Sequence, residues 1–153
     1  MNHTPRLRRL EWIYTDSPVY FLTACTARRR SILADAEVHE AFLLFCRTAE
    51  EKGVWVGRYV LMPDHLHLFA AFAPNAPSLS AWMKAFKGAI SESLYKRGFR
   101  SPFWQKGFFD HVLRSAESYG QKWQYVLDNP VRKGLVAKPD DWPYQGEVHP
   151  LAI

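Results

Sequence analysis

Two short stretches hold side chains that could act together on a substrate: His65 and His67, two apart in an apolar run, and Tyr125 with Asn129 four residues beyond it. On a strand the side chains alternate faces, so the two imidazoles project together while Leu66 and Leu68 point into the opposite apolar layer. Their Cα atoms then lie roughly 6–7 Å apart, twice a rise of about 3.3 Å, close enough for both rings to converge on one metal ion. On a helix, residues i and i+4 share a face, which lets the hydroxyl of Tyr125 and the amide oxygen of Asn129 approach one point. Asn129 could thereby complete a set of two imidazoles and one amide, with positions left for water and a phosphate oxygen. Each pattern alone has an ordinary explanation, since His-x-His pairs occur on half-exposed strands and Asn-Pro often ends a helix. Tyr119 is a rival hydroxyl, but lying six residues before Tyr125 turns it about 120° away around a helix. Asp64 reads as a turn residue, and His111 beside Asp110 as a contact to a bound partner or a packed side chain; neither is assigned a catalytic role.

A particular set of elements must position these residues. Tyr20 to Thr26, between Pro18 and the cluster Arg28, Arg29 and Arg30, reads as a strand running into a basic loop. Val38, Phe42, Phe45, Cys46 and Ala49 recur at helical spacing from about Ala36 to Lys52, and Gly53 is a stop. Val54 to Met62 and His65 to Phe72 form a hairpin around Pro63 and Asp64. Ser78 or Ser80 caps a helix whose face is Leu79, Trp82, Met83, Phe86, Ile90 and Leu94, with Gly98 past its end. A further strand is expected within Phe103 to Arg114, then a helix from Ser115 to Asp128 that Pro130 limits. This order predicts an α+β fold of the ferredoxin-like, split βαβ kind, an antiparallel sheet with packed helices.

Composition is consistent with one domain over residues 1–153, ending in an irregular tail from about Lys138. Hydrophobic residues at 48% suffice for a core, and 23% charged residues is ordinary for a globular protein. Cys25 and Cys46 are far apart and read as small buried hydrophobes rather than a disulfide or zinc framework. No apolar run approaches the roughly 20 residues of a membrane span, and Arg6, Arg8, Arg9 and Glu11 rule out the apolar core of a signal peptide. No membrane partner and a cytoplasmic location are therefore expected. The 20 Lys and Arg against 15 Asp and Glu, a net +5, favour a polyanionic partner. Cations interleave with rings at Trp82, Lys84, Phe86 and Lys87 and again from Phe103 to Arg114, a pattern suited to single strands, although most of these rings are expected in the core.

The two stretches in full, YVLMPDHLHLF and YVLDNPVRKGLV with FWQKGFFDHVLR between them, resemble the single-tyrosine HUH transposases, and especially the REP-associated tyrosine transposases. The resemblance runs roughly from Tyr20 to the region of Trp142. It implies the same split βαβ HUH fold, a metal held by His65 and His67 with Asn129 at the amide-ligand position, and Tyr125 as nucleophile. The implied activity is metal-dependent nicking and joining of single-stranded or hairpin (REP-type) DNA through a 5′-phosphotyrosine, with Mg²⁺ or Mn²⁺ as cofactor. A phenol with a reference pKa near 10 is a weak nucleophile and a phosphodiester repels anions, so such chemistry calls for a divalent ion. Two other classes fit parts of the pattern. A noncatalytic single-stranded nucleic-acid-binding module would account for basicity and rings but leave His65, His67 and Tyr125 without a role, and a small metal-dependent phosphodiesterase would hydrolyse without a covalent step. Monomer and homodimer are both compatible with the sequence.

Overall fold

The computed structural model describes residues 18–151, so the basic run with Arg6, Arg8 and Arg9 lies outside the described residues. The expected hairpin is present as β2 (Val54–Leu61) and β3 (His65–Phe72). Its turn is tied from both sides, because Met62 N donates to His65 O at 2.8 Å and Thr26 N donates to Asp64 O at 3.0 Å. β1 (Val19–Cys25) pairs with β3, β4 (Phe109–Leu113) pairs with β1, and all of these pairings are antiparallel. The sheet order β4-β1-β3-β2-β5 contains the ferredoxin-like split βαβ core predicted from the order of elements, an α+β fold.

Two helices cover one face of the sheet. α1 (Ala36–Ala49) starts where the Asp35 side chain accepts from Val38 N, and its chain stops at Gly53, which takes the left-handed φ of 82° that a β-carbon disfavours. α2 (Leu79–Lys96) is capped by Ser78, whose hydroxyl accepts from Ala81 N. Both bury the stripes expected of them: Val38, Phe42 and Cys46 from α1, and Trp82, Met83, Phe86, Ile90 and Leu94 from α2. These pack with Leu66, Leu68 and Ala70 of β3. The rings of α2 that alternate with lysines are therefore core. Cys46 is fully buried as expected, but Cys25 is only partly so, because it lies on the other face of β1 near the end of the strand.

The other face carries His65 and His67. Phe69 and Ala71 of β3 pack there with Val19, Leu113 and the buried side of α3 (Ala116–Leu127), namely Tyr119, Trp123 and Val126. α3 is capped by Ser115 and ends at Asp128, and a single helical turn, α4 (Asn129–Arg132), follows directly, with Pro130 in its first turn where no N–H is needed. The strand expected between Phe103 and Arg114 is confined to Phe109–Leu113, since the preceding residues are held by the loop after β1 through Ala27 N to Phe103 O and Gln105 N to Cys25 O. The tail from about 138 departs from the irregular segment expected. It adds a short strand, β5 (Gln145–Glu147), to the edge of β2, and buries Trp142 with its indole N–H donating to Leu61 O at 3.0 Å. Among the described residues no helix is long and apolar enough to cross a membrane.

The pairing of β2 with β3 shifts between Val56 and Tyr59, and Gly57 sits in that irregularity. A β-carbon there would meet Leu151 at 2.5 Å and the Tyr119 hydroxyl at 2.7 Å, so the glycine allows the tail and α3 to close over the strand. Gly57→Ala is expected to cost about 1–3 kcal/mol by overpacking. Chemical denaturation checks this; an unchanged midpoint would mean that Leu151 and Tyr119 do not sit against β2 as described.

Candidate active site

Alternation along β3 sends His65 and His67 to the face that carries α3, with ring centroids 4.9 Å apart. Each ring is fixed by its Nδ1 atom. His65 Nδ1 lies 2.8 Å from Asp64 Oδ1, and His67 Nδ1 lies 2.8 Å from Thr23 Oγ1, its directly opposed residue on β1. An ionised Asp64 can only accept, so His65 carries its proton on Nδ1 and presents a lone pair at Nε2. Arg29 Nη2 also lies 3.4 Å from His65 Nδ1. The shorter contact governs, because Arg29 has a better acceptor in Asp64 Oδ2, 3.0 Å from its Nε. Arg28 and Arg29 both take left-handed backbone angles, φ 55° and 54°, which side chains other than glycine adopt at a cost of roughly 1–2 kcal/mol each. The ion pair with Asp64, and the hydrogen bonds from Thr26 Oγ1 to Arg30 O and Asp64 O, hold the loop in that shape.

Charge follows from burial. Burial pushes the His67 imidazole down to about 3, with further lowering by His65, Lys122 and Arg132. Burial also lowers His65, against the opposing pull of Asp64. Burial raises the Asp64 carboxyl, but its hydrogen bonds to His65 and Arg29 outweigh that and leave it below its ordinary value. At neutral pH the pair is thus two neutral imidazoles with oriented Nδ1 atoms, the form in which histidine binds metals.

Asn129 is 8% exposed and its Nδ2 lies 3.5 Å from His65 Nε2, which places the amide beside one ring of the imidazole pair. Its oxygen is turned away, accepting from Arg132 Nη2 at 3.2 Å. Two imidazole nitrogens and an amide suit a divalent cation with open positions, and the residues present fit that group; Asn129 would serve as an oxygen donor only with its amide turned over. Among the described residues there is no cluster of three or more His, Cys, Asp or Glu that could hold a metal.

Tyr125 is 62% exposed on the outer side of α3. The Arg132 guanidinium lies 4.2 Å from its ring centroid and donates to Tyr125 O at 2.9 Å, so one side chain joins Tyr125 to Asn129. Tyr119 is buried; its hydroxyl accepts from Arg58 N at 3.3 Å, and burial pushes it up to about 12. It is a packing residue. His111 is exposed and shares with Tyr125, Lys122, Gln121 and Ser118 a cavity of about 350 Å³. Asp64 is the turn residue expected, and it also orients His65.

Three contributors escaped the sequence. Thr23 has a signal only once β1 is registered against β3. Arg132 lies seven residues after Tyr125, two helical turns, a spacing that could have flagged it. Arg29 was legible only as one of a basic cluster.

A family described as "Transposase IS200 like" matches residues 16–128. The chain is 22% identical over 131 residues to a REP-associated tyrosine transposase of Escherichia coli strain K12, across 86% of this chain and 77% of that protein. It is 27% identical over 142 residues to a Haemophilus influenzae protein provisionally given the same name, across 86% and 80% of the two chains. The solved structure of a REP-associated tyrosine transposase bound to a REP hairpin superposes with a TM-score of 0.67 at 21% identity, covering 84% of this chain and 75% of the other.

The depressed histidines have a consequence for stability. Unfolded, His67 takes up a proton near pH 6.5; folded, it does so only near 3, so below pH 6.5 the unfolded chain binds more protons and stability falls as pH falls. The contribution is complete above 6.5 and is lost toward 3, by up to about 1.4 kcal/mol per pH unit. Denaturation in chelator from pH 7 to pH 4 is expected to show a shallower decline for His67→Gln than for wild type. Equal slopes would contradict the buried, neutral ring.

Proposed function

The chain belongs to the IS200-like transposase family, and from that premise we propose that it nicks and rejoins single-stranded DNA, with Tyr125 as nucleophile and His65, His67 and Asn129 as the metal-binding set. The observation that carries the proposal is the pair of neutral imidazoles, each with Nδ1 engaged, beside an amide that Arg132 joins to an exposed tyrosine. A noncatalytic binding module would leave that arrangement without a purpose.

In this reading Arg132 and Lys122 supply fixed positive charge for the DNA backbone near Tyr125. Thr23 and Asp64 hold the imidazoles so that both Nε2 atoms face the site, and Arg29 holds Asp64. The divalent ion, Mg²⁺ or Mn²⁺ drawn from solution, supplies charge that polarises the scissile phosphate when bound. The Tyr125 oxygen gives up its proton and bonds to phosphorus; the bond from phosphorus to the upstream 3′ oxygen breaks, and that oxygen leaves as a hydroxyl after gaining a proton. Because the phosphotyrosine keeps the ester linkage, attack by another 3′ hydroxyl reverses the step and joins strands without ATP. The hairpin named with the structural relative makes hairpin DNA the substrate proposed for this chain.

The reading is tested by incubating the protein with end-labelled hairpin DNA bearing single-stranded flanks, with Mn²⁺, and resolving denaturation-resistant adducts. Wild type is expected to form the adduct, and Tyr125→Phe, which removes one exposed oxygen, to form none while binding the DNA normally. Tyr119→Phe is expected to keep it. His65→Ala should lower adduct formation by roughly a hundredfold at limiting metal, the upper end of the loss that follows when only the supporting partners of metal ligands are removed. An adduct from Tyr125→Phe would overturn the assignment.

A further inference from the structure

Register carries the site outward to the sheet edge. Phe109 is directly opposed to Thr23, which is directly opposed to His67; in the next row His111 is opposed to Phe21, which is opposed to Phe69. Directly opposed residues of antiparallel strands share a face, so edge strand β4 presents Phe109 and His111 on the same face as the histidine pair. The two side chains stand roughly 6–7 Å apart along the strand.

Phe109 is 68% exposed, whereas Phe103 is buried and Trp104 and Phe108 pack against the core. Packing does not account for it. Hollows lie to either side of it along the strand. One of about 150 Å³ has Thr23, Lys106 and Phe109 among its walls. The other is the cavity of about 350 Å³ that His111, Gln121 and Lys122 share with Tyr125. The Lys122 ammonium lies 5.3 Å from the Phe21 ring centroid, and that ring stacks on His67 at 5.1 Å, so a cation is held over the row next to the imidazoles.

We infer that β4 is the track for the unpaired nucleotides beside the scissile phosphate, with Phe109 as the stacking surface for one base and the hollow of His111, Gln121 and Lys122 receiving the adjoining phosphate and base edge. An exposed ring flanked by cations is what a single strand requires, since unpaired bases stack on aromatics while lysines meet the phosphates. Gln121 offers both a donor and an acceptor to a base edge, which makes it the candidate selector of base identity in this track. The inference deepens the DNA-transfer reading and rests on it for the position of the scissile phosphate.

The test uses fluorescence anisotropy in chelator, with the full chain and three labelled probes: a blunt hairpin, the same hairpin with a short mixed-sequence single-stranded flank, and that flank with abasic positions. Wild type is expected to prefer the flanked hairpin. Phe109→Ala should lose that preference by roughly five- to hundredfold, the range for one stacked base, while binding the blunt hairpin unchanged. Phe109→Trp should restore it, and one abasic position should weaken wild type but not Phe109→Ala. Equal binding of blunt and flanked probes by wild type, or equal losses on both by Phe109→Ala, would overturn the inference. A flank preference that depends on Phe109 in a protein forming no covalent adduct would uphold the track and overturn the transfer chemistry, so the two failures are separable.

Discussion

The site depends on how two imidazoles are anchored in a strand that is buried on both faces. β3 lies inside the sheet, with Leu66 and Leu68 in one apolar layer and Phe69 and Ala71 in the other. Placing His65 and His67 in such a strand requires partners for their nitrogens, because buried polar groups left unpaired cost roughly 1–3 kcal/mol each. The hydrogen bonds that join the two Nδ1 atoms with Asp64 and Thr23 meet that requirement and in doing so select which nitrogen faces outward. The left-handed loop at Arg28 and Arg29, the Asp64 ion pair and the pairing of β1 with β3 all serve the same two contacts.

The second half of the site is assembled on a helix that belongs to neither layer of the ferredoxin-like core. α3 buries Tyr119, Trp123 and Val126 against the open face of the sheet and leaves Tyr125 outside. The short turn Asn129–Arg132 that follows its end at Asp128 buries Asn129 beside His65 and carries Arg132 back over Tyr125. The tail then seals the arrangement from the β2 edge: Trp142 packs with this cluster, and Leu151 fits against Gly57. An arginine spanning the exposed tyrosine and the buried amide gives the two ends of the site a shared electrostatic and geometric support, which separate surface residues would lack.

Much of this was legible in the chain, and for physical reasons. β3 was readable because period-two alternation leaves both histidines on one face, and α2 because its apolar stripe repeats over five positions from Trp82 to Leu94. Helical spacing drew attention to Tyr125 and Asn129 together, but not to Arg132, the side chain that links them. Cross-strand partners were not, since the neighbour of His67 is decided by a register that no local pattern encodes, and Thr23 stands 44 residues away. Nor was the tail: β5 spans three residues, too few for periodicity, and pairs with a strand more than 80 positions earlier. Phe109 could not be told from the buried rings around it, because whether an aromatic in a short strand faces the core or the solvent depends on where the sheet ends.

In the proposed reaction Tyr125 takes the 5′ phosphate of the cleaved strand. Its most direct measurement is protease digestion of the covalent complex followed by mass spectrometry of the DNA-linked peptide, with polymerase extension of the released upstream strand. The expected products are a peptide containing Tyr125 joined to the 5′ end of the downstream fragment, and an upstream 3′ hydroxyl that polymerase extends. A linked peptide that carries Tyr119 without Tyr125, or a protein-linked 3′ end that polymerase cannot extend, would contradict it.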